Sequence, residues 1–308
     1  MSQKEQDNRL DEIINKAVAE HEQNMFEQVM HQNNLHHENV ARLSQRWWKG
    51  FVALEAMYLM TIEFAQMFNE KHGKKTEKGV SYSHKHFALL NIHGRACQVY
   101  AEMLCLMKNG FTDGAFALWR TLFELSVYAV FIYENDDETA LAYIEHSKVD
   151  EREKEYEETW AKSAPCFKNE KRKVTFKKIF WACKFSAEQK ESWDKQYTLA
   201  CKIVHASPQG SFKRLSNSGM EDGVLRIGGS NWGLHLPAEH MANSFYQTSA
   251  AFFGIYPDAD VLFATHMLRK WIDVILKHIY ETVRYCFPEV PDAERISKSY
   301  DEYVNEQN

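Results

Sequence analysis

Between Ala115 and Tyr133 the chain reads AFALWRTLFELSVYAVFIY, an almost wholly apolar run whose only charges are Arg120 and Glu124, one helical turn apart. Removing one partner of a buried ion pair costs roughly 3–5 kcal/mol. The two charges are therefore expected to pair with each other or with groups on neighbouring helices, which places a polar site inside a helical bundle. The run approaches the length of a membrane span, but charges near its middle and polar flanks favour a bundle core, with no membrane partner.

Elsewhere, apolar residues recur with a period near 3.6 and almost nowhere with a period of 2. The expectation is an all-α fold, a single helical bundle. Its 308 residues, 44% of them hydrophobic and 13% aromatic, suffice for a sizeable core. A polar, weakly amphipathic helix is expected from about Gln3 to Gln32. A second follows from about His37 to Lys71, rich in rings at Trp47, Trp48, Phe51, Tyr58 and Phe64, and its tryptophans suit either a core or a homodimer interface. HGKKTEKGVSYS breaks the pattern, and Ser83 caps the next helix. The turn Asn109-Gly110-Phe111-Thr112-Asp113-Gly114 then closes a helical hairpin onto the apolar run.

Past Asn135-Asp136-Asp137 lies a charged helix, and after Pro165 a basic stretch. There Lys168, Lys171, Arg172, Lys173, Lys177 and Lys178 stand among Phe167, Phe176 and Phe180. It reads as a solvated surface or as a phosphate-and-base contact. Ser186 with Gln189 forms a capping box. The helix it starts carries Trp193, Tyr197, Cys201 and His205 at successive i+4 positions, a stripe ending in an ionisable group. A long irregular loop near 207–236 follows, with Gly228-Gly229 suited to a small hairpin. Helices from about Pro237 to Gly254 and Asp258 to Cys286 complete the bundle. The organisation expected is N-terminal helices over 1–82, a core domain over 83–287 and a charged tail over 288–308.

Composition narrows the function. A net charge of −6 argues against coating nucleic acid by bulk electrostatics. The six cysteines form no CxxC pair, so reduced thiols are expected rather than a zinc cage or disulfide framework. MSQKEQDNRLDEII has no apolar signal core, which points to the cytoplasm. His84, His86 and His93 cluster in sequence, but without HExxH or paired ExxH motifs no metal or other cofactor is expected. GxSxG is absent, and Cys201 beside His205 reads as a packed thiol.

What remains is a constellation of Arg95, Arg120, Glu124, Tyr197 and His205 on three helices. GRACQVYAEMLCLMKNGFTDGAFALWRTLFEL with the later QYTLACKIVHAS resembles, over roughly residues 85–255, an uncharacterised bacterial all-helical family known only as a domain of unknown function. Its pattern is an Arg-bearing helix, a Gly-containing turn, an R-x-x-x-E helix and a later helix with Tyr and a terminal His. That family is distantly similar to the HEPN domains of bacterial defence and toxin systems. HEPN ribonucleases carry Arg followed four to six residues later by His, a spacing this chain lacks. Cleavage of that kind would require Arg120 and His205 to converge from different helices to do the same work.

Cleavage through an RNA 2′-hydroxyl needs a proton acceptor near neutral pH and a cation for the phosphorane. His205 fits the first role by type, and Arg120 or Arg95 the second. Glu124 would fix the guanidinium, making Arg120, Glu124 and His205 the catalytic set, with Arg95 and Tyr197 on the substrate. One reading is thus a ribonuclease-like or nucleotide- or RNA-handling defence protein whose 207–236 loop covers the constellation. The alternative is a non-enzymatic interaction module in a defence or regulatory assembly, with a closed polar network and an Arg120–Glu124 pair that serves packing alone.

Overall fold

The structure is a computed structural model, and it describes residues 3–76, 79–148, 158–204, 208, 215 and 227–288. The fold is all-α. The chain divides into two compact units, residues 1–45 and 46–308.

Helix α1 runs unbroken through Gln3–His72, where the sequence suggested two helices. The polar residues between Gln32 and His37 include neither Gly nor Pro, so nothing stops helical hydrogen bonding there. In the first unit its side chains are largely exposed. In the second unit Trp47, Phe51, Leu54 and Met57 are buried at helical spacing, whereas Trp48 is 56% exposed. Trp47 is thus a core residue and Trp48 a surface one. After α1, β1 (Lys74–Thr76) pairs antiparallel with β2 (Gly79–Ser81). This is where the short hairpin forms. Residues 227–234, around Gly228-Gly229, are irregular instead.

Helix α2 (His84–Lys108) begins at Ser83, whose hydroxyl accepts the His86 amide at 3.1 Å. Helix α3 (Thr112–Glu134) returns antiparallel to it across a tight turn. Gly110 turns the corner with φ +80°, a region other residues enter at a cost. Helix α4 (Asp137–His146) is capped by Asp136, and a 3-10 turn occupies Thr159–Ser163. The short α5 (Phe176–Ala182) and α6 (Ala187–Val204) pack on α3. The Ser186–Gln189 capping box forms in both directions, at 3.1 and 3.2 Å. Helix α7 (His235–Phe253) packs on α2 and α3, and α8 (Ala259–Cys286) closes the bundle against α7.

The core is aromatic, and the buried hydroxyl and indole groups of its rings find acceptors, whereas among the described residues His86 Nδ1 and His240 Nε2 are buried without a hydrogen-bond partner. Tyr100 donates to the Leu54 carbonyl at 2.9 Å and lies 4.4 Å from the Phe245 ring. Trp119 donates to Ser244 Oγ at 2.9 Å, and Trp271 to the Ala53 carbonyl at 2.8 Å. Left unmade, each such bond would cost about 1–3 kcal/mol. Both α1 and α3 contain windows long and apolar enough to cross a membrane. On α3 the apolar residues Phe116, Trp119, Leu122, Phe123, Val127, Phe131 and Ile132 are buried within the bundle, the environment of a core helix.

Candidate functional site

Spacing on α3 places Arg120, Glu124 and Tyr128 on one helical face, each four residues after the last. Arg120 Nε donates to Glu124 Oε1 at 2.9 Å. From α6, Tyr197 donates its hydroxyl to the same Glu124 oxygen at 2.5 Å, and Arg120 Nε lies 3.3 Å from that hydroxyl. The guanidinium carbon stands 5.7 Å from the Tyr197 ring centroid. Tyr197 is itself held by Phe123 and Phe176, at 5.5 and 5.1 Å between ring centroids. The stripe read from the sequence is real through Cys201: Trp193 meets Phe123 edge-on at 5.8 Å.

The pair is less buried than its apolar helix implied. The Arg120 and Glu124 side chains retain 32% and 26% of their exposure. Both sit where α6 crosses the solvent-facing edge of α3, so the helix is apolar on average while this face reaches water. Arg120 spends its Nε edge on Glu124 and Tyr197; among the described residues its Nη1 and Nη2 groups take part in no hydrogen bond. Burial works against the Arg120 charge, but the bonds to Tyr197 and Glu124 outweigh it and hold the guanidinium above its ordinary pKa. Burial, reinforced by Glu124, likewise pushes the Tyr197 phenol up, so it acts as a donor and not as a base.

Two further features of the neighbourhood went unread in the sequence. Tyr128, the next step of the i+4 series, donates to Glu158 at 2.6 Å, and Trp160 donates to the other oxygen of Glu158 at 2.7 Å. An R-x-x-x-E-x-x-x-Y spacing was available as a signal for Tyr128; nothing local pointed to Glu158. Beside Tyr197 a small pocket is lined by Phe123, Phe176, Lys177, Phe180 and Asp194, with Lys177 paired to Asp194 at 2.9 Å.

Other expected site residues are placed differently. Arg95 is exposed on α2 and pairs with Glu102 at 3.6 Å, and among the described residues it forms no hydrogen bond with Arg120, Glu124 or Tyr197. His205 lies outside the described residues. The described parts of the 207–236 loop bind the α2–α3 turn rather than the Arg120 group. Leu215 N donates to Asp113 at 2.6 Å, Ser230 N donates to the Gly110 carbonyl at 2.8 Å, and Thr112 donates to the Trp232 carbonyl at 2.8 Å. In the basic stretch Phe167 and Phe180 are buried, so a phosphate contact there would fall to the lysines without those rings.

Burial raises the Cys201 thiol, as it does Cys97, pushed up to about 12. Both are packed thiols. Among the described residues no group of three or more His, Cys, Asp and Glu side chains could hold a metal ion. His86 and His93 face the core; burial lowers each to about 4, and His93 Nε2 lies 3.2 Å from Ser249 Oγ.

This geometry is that of a helical bundle with a half-exposed Arg–Glu–Tyr cluster at the junction of two helices. Residues 86–223, spanning α2 to α6 and hence the whole cluster, match a family described as of unknown function (DUF5677). No curated protein and no solved structure matches the chain.

Proposed function

We propose that this chain is an RNA- or nucleotide-handling protein whose phosphate-binding group is Arg120. The observation that carries the reading is the division of labour on its guanidinium. One edge is fixed by Glu124 and Tyr197, and the Nη edge remains available on a side chain that is 32% exposed. A planar fork held in this way is pre-organised for two-point contact with phosphate oxygens, whose charge-assisted bonds are among the stronger ones in proteins. A HEPN-like relationship, suggested by the sequence motifs alone, would make RNA or a nucleotide the phosphate source in a bacterial defence setting in the cytoplasm. Cleavage would add a proton acceptor to this site, and His205, the next step of the Trp193-Tyr197-Cys201 stripe, fits that role by type.

The test is fluorescence anisotropy of a labelled single-stranded RNA with the full chain, titrated beside inorganic phosphate as competitor. Arg120→Met should weaken binding at least about tenfold, and Arg120→Lys should not restore it, because an ammonium cannot make the planar contact. Equal affinity of wild type and Arg120→Met would refute the reading. If binding persists but His205→Ala leaves no difference in RNA turnover, the chain binds phosphate without cleaving it.

A further inference from the structure

The first unit consists of helix α1 up to Gln45, and it carries large apolar side chains in water. Leu10, Ile13, Val18, Met25 and Val29 are 56–59% exposed, Ile14 is 48% exposed, and Phe26 is 73% exposed. Single exposed apolar residues need no explanation, but a continuous face of them marks an interaction surface.

Their order is specific. Leu10, Ile14, Val18, His21, Met25 and Val29 follow one another at intervals of four, four, three, four and four residues. Ile14 to Met25 and Val18 to Val29 are each eleven apart. Eleven residues in three turns is 3.67 per turn, so the stripe stays on one side of a nearly straight helix. The series is also a palindrome about the midpoint between Ala19 and Glu20. Leu10 mirrors Val29, Ile14 mirrors Met25, and Val18 mirrors His21, while Ile13 and Phe26 mirror each other on the flanks.

A palindromic stripe is self-complementary under the two-fold axis of an antiparallel pair, in which residue i of one copy meets residue j of the other and j meets i. We infer that this segment pairs antiparallel with the same segment of a second copy of the chain, in Leu10/Val29, Ile14/Met25 and Val18/His21 layers.

The charges favour the same orientation. Between Lys4 and Arg42 the only Lys or Arg residues are Arg9, just before the stripe, and Lys16 in its first half, which also carries Asp11 and Glu12. The second half carries Glu20, Glu22 and Glu27 without a cation. A parallel pair sets that acidic half against itself. An antiparallel pair sets it against a half in which Arg9 and Lys16 offset Asp11 and Glu12, which lowers like-charge repulsion relative to a parallel pair although Glu12 still mirrors Glu27.

Sedimentation equilibrium of the full chain tests this. Wild type should be a dimer at micromolar concentration. Ile14→Lys should dissociate it with a Kd increase of roughly a hundredfold or more, because the two-fold axis charges two layers at once. The substitution lies on an exposed helix face, so the thermal midpoint should not fall, which separates lost pairing from lost folding. The double variant Ile14→Lys with Met25→Glu should restore the dimer, since each Lys then meets a Glu of the other copy.

A monomeric wild type overturns the proposal. So does failure of the double variant to recover, or recovery only on mixing Ile14→Lys with Ile14→Glu, the signature of parallel pairing. A monomer that co-sediments with anionic phospholipid vesicles through this face would overturn it in favour of a membrane surface.

Discussion

Replacing Arg120 by Met separates a charge pair kept for folding from one kept for binding. Met preserves the length of the side chain and most of its packing on the Tyr197 ring, and it is about as good a helix former as Arg. What disappears is the charge and the Nε bonds, 2.9 Å to Glu124 and 3.3 Å to the Tyr197 hydroxyl. Glu124 keeps the Tyr197 hydroxyl as a donor at 2.5 Å, and with a quarter of its own exposure it also keeps access to water. An i,i+4 pair of this exposure contributes about 0.3–0.5 kcal/mol. Allowing for the shared hydrogen bond, the expected loss is about 1 kcal/mol. A pair sealed in the core would instead cost roughly 3–5 kcal/mol. Urea unfolding followed by circular dichroism at 222 nm resolves the two, through the shift in midpoint at constant slope. For a chain of this size about 1 kcal/mol corresponds to a fall of roughly 2–4 °C in thermal midpoint. A loss above about 3 kcal/mol would refute the argument, since the cluster would then be a structural network and Arg120 would not be free to serve a ligand.

Other outcomes follow from the same structure. Burial holds His93 near 4 in the folded chain, against about 6.5 when unfolded. The unfolded state therefore binds more protons across that window, so this stability is present above pH 6.5 and is lost as pH falls toward 4. His93→Gln should flatten the pH dependence of unfolding by up to about 1.4 kcal/mol per pH unit between those limits, and an unchanged slope would contradict the assignment. Gly110→Ala would force a left-handed conformation and bring a Cβ within 2.8 Å of Ser230 N and 2.9 Å of its carbonyl oxygen. A loss of about 2 kcal/mol or more is expected, with faster hydrogen exchange at the Ser230 amide; unaltered exchange there would deny that the turn anchors the 227–234 segment. Ser186→Ala should cost about 1 kcal/mol in urea titration while leaving RNA affinity intact, because Tyr197 lies about three turns further along α6. A matching loss of affinity would mean that the cap positions the site.

Local chemistry was legible wherever one turn of helix contains it. Ser83 and the Ser186–Gln189 box cap the helices the sequence marked, because a cap needs only its own next three residues. The Arg120–Glu124 pair and the stripe from Trp193 to Cys201 follow from a period of 3.6, which is set by backbone geometry alone. The all-α fold follows from the same period repeated along the chain.

What the sequence could not supply depends on which face meets which. Tyr197 joins Arg120 across 77 positions, and its arrival follows from how the rings of Phe123 and Phe176 seat α6. Arg95 shares the α2–α3 hairpin with Arg120, yet it points to solvent, because the direction of a helical side chain is decided by which stripe its helix buries. Composition suggested that charges in an apolar helix are sealed. Tertiary packing left that edge of α3 half open, since an average over nineteen residues carries no information about the one face that α6 only partly covers.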